Sequence, residues 1–316
     1  MMRAARWALH FSGPLSEPFD ASNGVTMTEL PRITQEMINL HDEFTHKTND
    51  RVDFMRRLTE LVGTSEAAQA IAAMIGASAS AASMVPENDS RLKTQMVTFG
   101  DQMTGYLAWP ATASGKLPAV MVVHENRGLV PHIKDVVRRV ALEGFLALGP
   151  DFLAPIGGTP EDEDKGRDMI GKLEAPKVTA NAVAAVRWLK AHEKSNGKVG
   201  AVGFCWGGGV VNRTAVAAGS DLTAAVPYYG AQPPAENVPK IKAEMLLHYA
   251  GEDERINAGI PAYKDALTAA GVKHEIHQYP GAQHAFNNDT SEARYNKAAA
   301  ETAWRRTIAM LKRTLA

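Results

Sequence analysis

Cysteine is almost absent from this chain, since Cys205 is the only one among 316 residues. A single cysteine cannot form an intramolecular disulfide, so the fold does not depend on an oxidising compartment. A reduced thiol suits a reducing cytoplasm better than a secretory route, and the sequence therefore predicts a cytoplasmic protein.

Long hydrophobic runs are also absent. No segment approaches the roughly 18 to 20 uninterrupted apolar residues that span a bilayer, so no membrane contact is expected. Residues 1–10 are basic and partly apolar, but no sustained apolar run precedes Ser12-Gly13-Pro14, so they do not form a convincing signal peptide. Translation from Met27 is an alternative that the sequence leaves open.

An excess of charge of one sign is lacking as well. The net charge of −1 at pH 7 gives no global field that favours nucleic acid or an anionic membrane. The pairs Arg305-Arg306 and Lys312-Arg313 are short and predict a solvated helix face. No pair of histidines has ligand spacing beside a carboxylate, so neither a metal site nor another cofactor is predicted.

The composition that remains is ordinary for a globular protein, with 45% hydrophobic and 22% charged residues. Residues 1–90 predict an N-terminal extension that is helical and partly disordered, with a helix cap at Asn49 or Asp50 and a linker at residues 84–90. This extension is a candidate contact between subunits of a homo-oligomer. Residues 91–316 predict one large α/β domain.

Strand and helix patterns alternate within that domain. Two strand patterns flank Gly100-Asp101, which indicates a hairpin. The apolar run at residues 119–124 is typical of a strand buried on both faces. Helices between the later strands imply βαβ units and a mostly parallel sheet covered on both faces. Strands are predicted at residues 95–99, 104–109, 119–124, 145–148, 198–203, 224–228, 244–249 and 274–279, and helices at residues 133–143, 178–192, 262–270 and 296–315.

The motif Gly203-Phe204-Cys205-Trp206-Gly207-Gly208 carries the strongest chemical signal. It has the G-x-nucleophile-x-G pattern of the sharp turn that lifts a catalytic side chain off a strand in α/β-hydrolases. Small residues flank such a turn because the backbone of the nucleophile is strained and bulk would clash. The helix that follows favours a thiolate at Cys205. A buried structural cysteine is the alternative interpretation.

A nucleophile needs a base, and the base needs an orienting acid. In this fold the acid and then the histidine follow the nucleophile along the chain. Asp253 lies just beyond a predicted strand and is the best acid, although Glu252 and Glu254 compete by spacing alone. His284 follows a strand and a turn, where the base must lie. The remaining late histidines fall inside predicted strands: His248, His274 and His277.

The loop that begins at His124 follows the most apolar strand. A loop at this point usually provides an oxyanion-hole N–H in this fold. We therefore expect the Asn126 and Trp206 N–H groups to stabilise the negative oxygen of a tetrahedral intermediate. Glu125 lies beside them, where a carboxylate would repel that oxygen unless it has another partner, namely the thiol or the substrate.

These motifs together resemble the dienelactone hydrolase (carboxymethylenebutenolidase) family over roughly residues 95–316. The similarity is greatest to longer members that carry an N-terminal extension. The residues that carry the resemblance are His124-Glu125-Asn126-Arg127-Gly128, Pro150-Asp151, Gly203-Phe204-Cys205-Trp206-Gly207-Gly208, Gly251-Glu252-Asp253, Arg255-Ile256-Asn257-Ala258-Gly259 and His284-Ala285-Phe286.

The resemblance implies an α/β-hydrolase fold and a cofactor-free hydrolase of small esters or lactones. It implies that Cys205 attacks the carbonyl, that His284 is the base oriented by Asp253, and that Glu125 takes the thiol proton. An acyl-enzyme on Cys205 is then hydrolysed by water.

This sequence also departs from the family pattern. Dienelactone hydrolases place an arginine shortly after the catalytic histidine to bind the substrate carboxylate, whereas residues 285–289 here contain no arginine. Arg127 or Arg255 is a candidate replacement. A thioesterase or other acyl-transfer enzyme using the same residues, and a non-hydrolytic binding or redox-sensing scaffold with a reactive thiol, remain alternatives.

Overall fold

The computed structural model describes residues 32–44, 50–76 and 84–316. Contacts divide the chain into two units, Met1–Ile71 and Ala72–Ala316. The alternative start at Met27 and residues 1–10, which were not predicted to form a signal peptide, lie outside the described residues, as do Asn49 and residues 77–83. The predicted domain boundary near residue 90 remains a prediction.

Two helices pack together in the first unit, α1 (Gln35–Glu43) and α2 (Arg51–Val62). The Phe44 and Phe54 rings stack with centroids 4.7 Å apart. Asp50 caps α2 by accepting hydrogen bonds from the N–H groups of Val52 and Asp53, which confirms one of the two predicted caps. Helix α3 (Ser65–Gly76) follows. No helix among the described residues is long and apolar enough to cross a membrane.

The second unit is built on an eight-stranded sheet in the order β1-β2-β4-β3-β5-β6-β7-β8. Strand β2 pairs antiparallel with β1 and β4, and every other neighbouring pair is parallel. The predicted hairpin and mostly parallel sheet are confirmed. The strands are β1 (Leu92–Phe99), β2 (Met103–Pro110), β3 (Leu117–Val123), β4 (Leu146–Asp151), β5 (Ser195–Phe204), β6 (Ala224–Tyr228), β7 (Glu244–Ala250) and β8 (His274–Tyr279).

Helices cover both faces of this sheet. They are α4 (Pro131–Leu142), α5 (Glu163–Ile170), α6 (Ala175–Ala191), α7 (Trp206–Ala217), α8 (Glu254–Asn257), α9 (Ile260–Ala269) and α10 (Lys297–Leu315), with short 3₁₀ turns at Ala154–Ile156, Gly219–Asp221 and Ala235–Lys240. Strand β3 shows the layering, because its side chains alternate between faces. Val120 and Val122 belong to the apolar cluster that contains α4 and α10, whereas Met121 and Val123 belong to the cluster that contains α6, α7 and α9.

Helices α5 and α8 were not predicted. Helix α5 has a glycine in its middle, which disfavours a helix by about 1 kcal/mol relative to alanine. A Cβ on Gly166 would lie 2.6 Å from the Arg127 carbonyl oxygen, so close packing explains why glycine occupies that position. Helix α8 has only four residues and begins directly after Asp253, which caps it.

The segment predicted as a linker is anchored to α4. The Val85 N–H donates to Asp135 Oδ1 at 2.8 Å, and the Val85 carbonyl accepts from Arg138 Nε at 2.6 Å. The side chains of Asp135 and Arg138, which both belong to α4, are buried. Hydrogen bonds to charged groups are among the stronger ones in proteins, so this segment is held firmly before β1 begins.

Candidate active site

Cys205 is the single residue between β5 and α7. Its backbone has φ 54° and ψ −116°, a conformation that side-chain-bearing residues rarely adopt. The Cys205 N–H donates to the Tyr228 carbonyl at 3.1 Å, and the Cys205 carbonyl accepts from the Gly209 N–H at 3.2 Å. These contacts hold the strained turn in place, as the sequence motif predicts.

Two glycines of the motif are needed because backbones approach closely around Cys205. A Cβ on Gly207 would lie 2.3 Å from the His124 carbonyl oxygen, and a Cβ on Gly203 would lie 2.3 Å from the Gly207 carbonyl oxygen. Either distance is far below van der Waals contact. The start of α7 is therefore pressed against the end of β3, and the turn is brought beside the loop that begins at His124.

His284 and Asp253 meet at the same edge of the sheet. His284 Nδ1 lies 2.5 Å from Asp253 Oδ2, and both side chains are almost completely buried. The other carboxylate oxygen, Oδ1, accepts from the Ile256 N–H at the start of α8. The competing acids Glu252 and Glu254 are exposed. Among the three, Asp253 is therefore the acid that contacts His284.

His284 links the Asp253 carboxylate to Cys205. Burial alone would lower the pKa of His284, but the negative charges of Cys205 and Asp253, and hydrogen bonds to both, outweigh it and raise the pKa to about 10. For Asp253, burial raises the pKa, while the His284 charge and hydrogen bond and the Arg255 charge outweigh it, so the net shift is downward. Negative charge on Cys205 or Asp253 thus favours the protonated form of His284.

The titration of His284 gives a prediction that needs no substrate. We expect its ring nitrogens to titrate near pH 10 in an NMR experiment, and to titrate at lower pH in Cys205→Ala, which removes one charge and one hydrogen bond. Because the folded-state pKa lies above the ordinary 6.5, protonation stabilises the fold fully below about pH 6.5, and this contribution is lost as the pH rises through about 10.

Urea unfolding of the wild type and of Cys205→Ala between pH 7 and 10.5 checks the sign of this effect. In both proteins the decline in unfolding free energy should begin near the ordinary pKa of 6.5, and in the variant it should end at a lower pH and have a smaller total size. If His284 titrates at the same pH in both proteins, the pairing of thiolate and imidazolium is wrong.

Backbone strain is concentrated around this site. Three of the four non-glycine residues with positive φ among the described residues lie here: Cys205, Tyr229 at 37° and Ala285 at 68°. The fourth, Gln102, lies in the turn between β1 and β2. Tyr229 directly follows β6, and Ala285 directly follows His284. Strained residues of this kind often occur at functional sites, where the surrounding structure maintains them.

Tyr229 was not predicted from the sequence. Its ring centroid lies 5.0 Å from that of His284. Burial, and then the charges of Glu125 and Cys205, raise its pKa well above the ordinary value, so the hydroxyl stays protonated. The one sequence feature that could have indicated Tyr229 is its position directly after a buried strand, at the same edge of the sheet as Cys205, Asp253 and His284. The positive φ that turns its side chain is not readable from sequence.

Glu125 lies beside the same cluster and is held by Asn288. Its Oε2 accepts a hydrogen bond from Asn288 Nδ2 at 2.8 Å. Asn288 Oδ1 accepts from both the N–H and the hydroxyl of Thr290, which fixes the orientation of the amide. Glu125 Oε1 is buried and has no hydrogen-bond partner in the part of the chain that the structure describes.

The two predicted oxyanion-hole donors are backbone N–H groups in different segments. Trp206 is the first residue of α7, and an N–H group at that position has no acceptor within its own helix. The Asn126 N–H, in the loop after β3, donates to no acceptor within residues 32–44, 50–76 and 84–316. Neither N–H therefore has a backbone acceptor among the described residues.

The candidate substrate-binding arginines differ in their surroundings. Arg127 forms an ion pair with Glu163 of α5. Arg255 has a buried Nε with no hydrogen-bond partner among the described residues. Asp289 pairs with Arg139 at 2.7 Å and with His132 at 3.2 Å. The described residues contain no group of three histidine, cysteine or carboxylate side chains that could hold a metal ion.

Comparisons with known proteins give the family. The model of the dienelactone hydrolase family matches residues 103–315. Proteins named "Putative carboxymethylenebutenolidase" from Escherichia coli and Synechocystis are 33% and 34% identical, cover 69% and 68% of this chain, and are themselves covered over 85% and 94% of their length. A crystal structure titled "Putative Dienelactone Hydrolase" from Klebsiella pneumoniae is 29% identical, with a TM-score of 0.64 over 70% of this chain and 98% of its own. The chain therefore belongs to the dienelactone hydrolase family and is an ester or lactone hydrolase with the α/β-hydrolase fold.

Proposed function

We propose that the protein hydrolyses small esters or lactones through an acyl-enzyme on Cys205. The observation that carries this proposal is the contiguous set of Cys205, His284 and Asp253, with the His284 pKa raised by both partners. Each group has the role that its environment favours. The thiolate is the nucleophile, the imidazolium is the proton donor, and the buried carboxylate orients the ring.

The reaction proceeds in two halves. The Cys205 sulfur attacks the carbonyl carbon, a C–S bond forms, and the carbonyl oxygen takes the negative charge beside the Asn126 and Trp206 N–H groups. The C–O bond to the leaving group then breaks, and His284 Nε2 gives its proton to the leaving oxygen. Water next attacks the thioester, with His284 taking its proton, and the thiolate departs from the acid product.

Glu125 provides a second acceptor for the thiol proton in the resting enzyme. Its Oε2 is occupied by Asn288, whereas its buried Oε1 has no hydrogen-bond partner among the described residues. This Oε1 is the atom to which we assign the thiol proton. The protonated hydroxyl of Tyr229, whose pKa responds to both Glu125 and Cys205, is buried without a hydrogen-bond partner among the described residues.

The preferred substrates are neutral. Residues 285–289, where the family pattern places an arginine, contain Asn288 instead, and its amide donates to Glu125. Arg127 is neutralised by Glu163. A substrate carboxylate would therefore meet Glu125 without the cation that usually pairs with it. Arg255 is the one candidate cation whose buried Nε lacks a partner within the described ranges.

A matched pair of aryl acetates tests this substrate class. Phenyl acetate and 4-acetoxybenzoate differ by one carboxylate, and we expect kcat/KM to favour the neutral ester by about tenfold or more. A tenfold ratio corresponds to ~1.4 kcal/mol, less than a typical hydrogen bond to a charged group contributes. Higher activity on the carboxylate ester, lost again in Arg255→Ala, would instead assign Arg255 to carboxylate binding.

The same assay distinguishes the alternative functions. Acyl thioesters of increasing chain length, tested beside the aryl acetates, identify a thioesterase if they give the higher kcat/KM. A thiol that reacts rapidly with peroxide in a protein that turns over no ester would indicate a redox sensor. Every rate is compared with that of Cys205→Ala under the same conditions.

A further inference from the structure

His124 is a fully buried histidine for which the mechanism above has no role. It lies directly after β3, where the chain enters the loop that contains Glu125 and Asn126. Its ring stacks on Trp206, with centroids 5.2 Å apart and planes 7° apart. The ring is thus enclosed beside the residue that follows Cys205.

The partners of the two ring nitrogens define the tautomer of His124. Nδ1 lies 2.7 Å from the Glu125 carbonyl oxygen, which can only accept, so Nδ1 carries the hydrogen. Nε2 lies 3.3 Å from the Phe152 N–H and accepts from it. Burial lowers the pKa of His124, although the Glu125 carbonyl and the charges of Asp151 and Glu125 raise it in part. The ring is therefore neutral, with both nitrogens satisfied.

The contact with the Glu125 carbonyl has a consequence for the next residue. The Glu125 carbonyl and the Asn126 N–H belong to one planar trans peptide unit and point in opposite directions. When the His124 Nδ1–H holds the oxygen, it also fixes the direction of the Asn126 N–H. That N–H has no acceptor among the described residues, as an oxyanion donor requires.

We propose that His124 is a positioning residue that keeps the Asn126 N–H oriented toward the developing oxyanion. It acts through the peptide bond and does not touch the substrate. A rotation of this peptide would replace the N–H donor by a carbonyl oxygen that repels the oxyanion. The proposal rests on the proposed acyl-enzyme mechanism, and it adds a role for the first residue of the His124-Glu125-Asn126 sequence.

Two substitutions separate the hydrogen bond from the ring. His124→Phe keeps an aromatic ring for stacking but has no donor. His124→Asn loses the ring but places an amide N–H close to where Nδ1–H lies. We expect kcat to fall about 10²-fold or more in His124→Phe, the usual effect of losing one oxyanion donor, with KM changed less than about threefold. His124→Asn should recover at least tenfold of that loss.

Alkylation of Cys205 by iodoacetamide provides a readout that a general collapse of the site would move. Displacement of iodide creates no oxyanion, so the alkylation rate should stay within about twofold of wild type in both variants. His192→Phe is the matched control, because His192 also contacts an aromatic ring and accepts from a backbone N–H, but at the end of α6. Its kcat should equal that of wild type.

Three results would overturn the proposal. The first is wild-type kcat in His124→Phe. The second is a parallel loss of alkylation and turnover, which would assign His124 to the thiol site as a whole. The third is an equal loss in His124→Asn and His124→Phe, which would assign the effect to stacking. Failure of the proposed function itself is recognisable separately, because wild type would then hydrolyse no ester, and the role of His124 would fall with it.

Discussion

Cys205→Ala is expected to reduce kcat/KM for aryl acetates by about 10⁶-fold, the size of the loss when the nucleophile of a catalytic triad is removed. Without sulfur at this position no acyl-enzyme forms, and His284 also loses the thiolate that raises its pKa. Steady-state rates and mass spectrometry of the quenched enzyme measure the effect. The acylated form should be present only in the wild type.

The fold should survive this substitution. Removal of one buried sulfur costs about 1 kcal/mol, and alanine tolerates the positive φ of residue 205 no worse than cysteine does. Circular dichroism and thermal unfolding should therefore show a native protein. Since Cys205 is the only cysteine, one equivalent of iodoacetamide should give the same loss in the wild type. Full turnover by folded Cys205→Ala would refute the cysteine mechanism.

Asp253→Asn has the second largest expected effect, a loss in kcat on the order of 10⁴-fold, as for the same change in a serine-protease triad. The carboxylate oxygen 2.5 Å from His284 Nδ1 would be replaced by an amide that can donate. An amide donor at Nδ1 selects the wrong tautomer of His284, and the loss of negative charge lowers the pKa of the ring. Turnover is measured together with the NMR titration of His284.

Glu254→Gln is the matched control for this prediction. It removes the same charge one residue away, but Glu254 is exposed. We expect its kcat to remain within about twofold of wild type, since exposed charges interact weakly with distant groups. If both substitutions reduce kcat equally, the effect comes from the charge of the loop and not from the contact between Asp253 and His284.

Much of the fold was predictable because its signals are local. The apolar run of β3, the glycine-bounded hairpin and the strands separated by helices have patterns that follow from burial on one or both faces. Helices α5 and α8 were missed for a physical reason. Gly166 is retained in α5 by contact with Arg127, and the four residues of α8 are stabilised by the Asp253 cap. The first cause is a tertiary contact. The second is the shortness of α8, since four residues are too few to show a helical repeat of apolar residues.

The sequence by itself determined which kinds of residues are available at the sheet edge. Parallel strands end at the same edge of a sheet. Because Cys205, Asp253 and His284 each follow the end of a strand, the sequence predicted that they lie near one another. Spacing could not choose among Glu252, Asp253 and Glu254, because neighbouring residues differ only in the direction of their side chains. The tertiary structure decided this choice by burying Asp253 against His284 and leaving the other two in solvent.

Contacts between distant segments were likewise decided only by the tertiary structure. Asn288 donates a hydrogen bond to Glu125, which lies 163 residues earlier in the chain. Arg127 forms an ion pair with Glu163 of α5, a helix that was not predicted from the sequence. The orientation of the Glu125–Asn126 peptide depends on the tautomer of His124, which its buried partners set. Sequence patterns report which faces are buried, whereas the direction of a hydrogen bond is fixed only when its donor and acceptor are packed together.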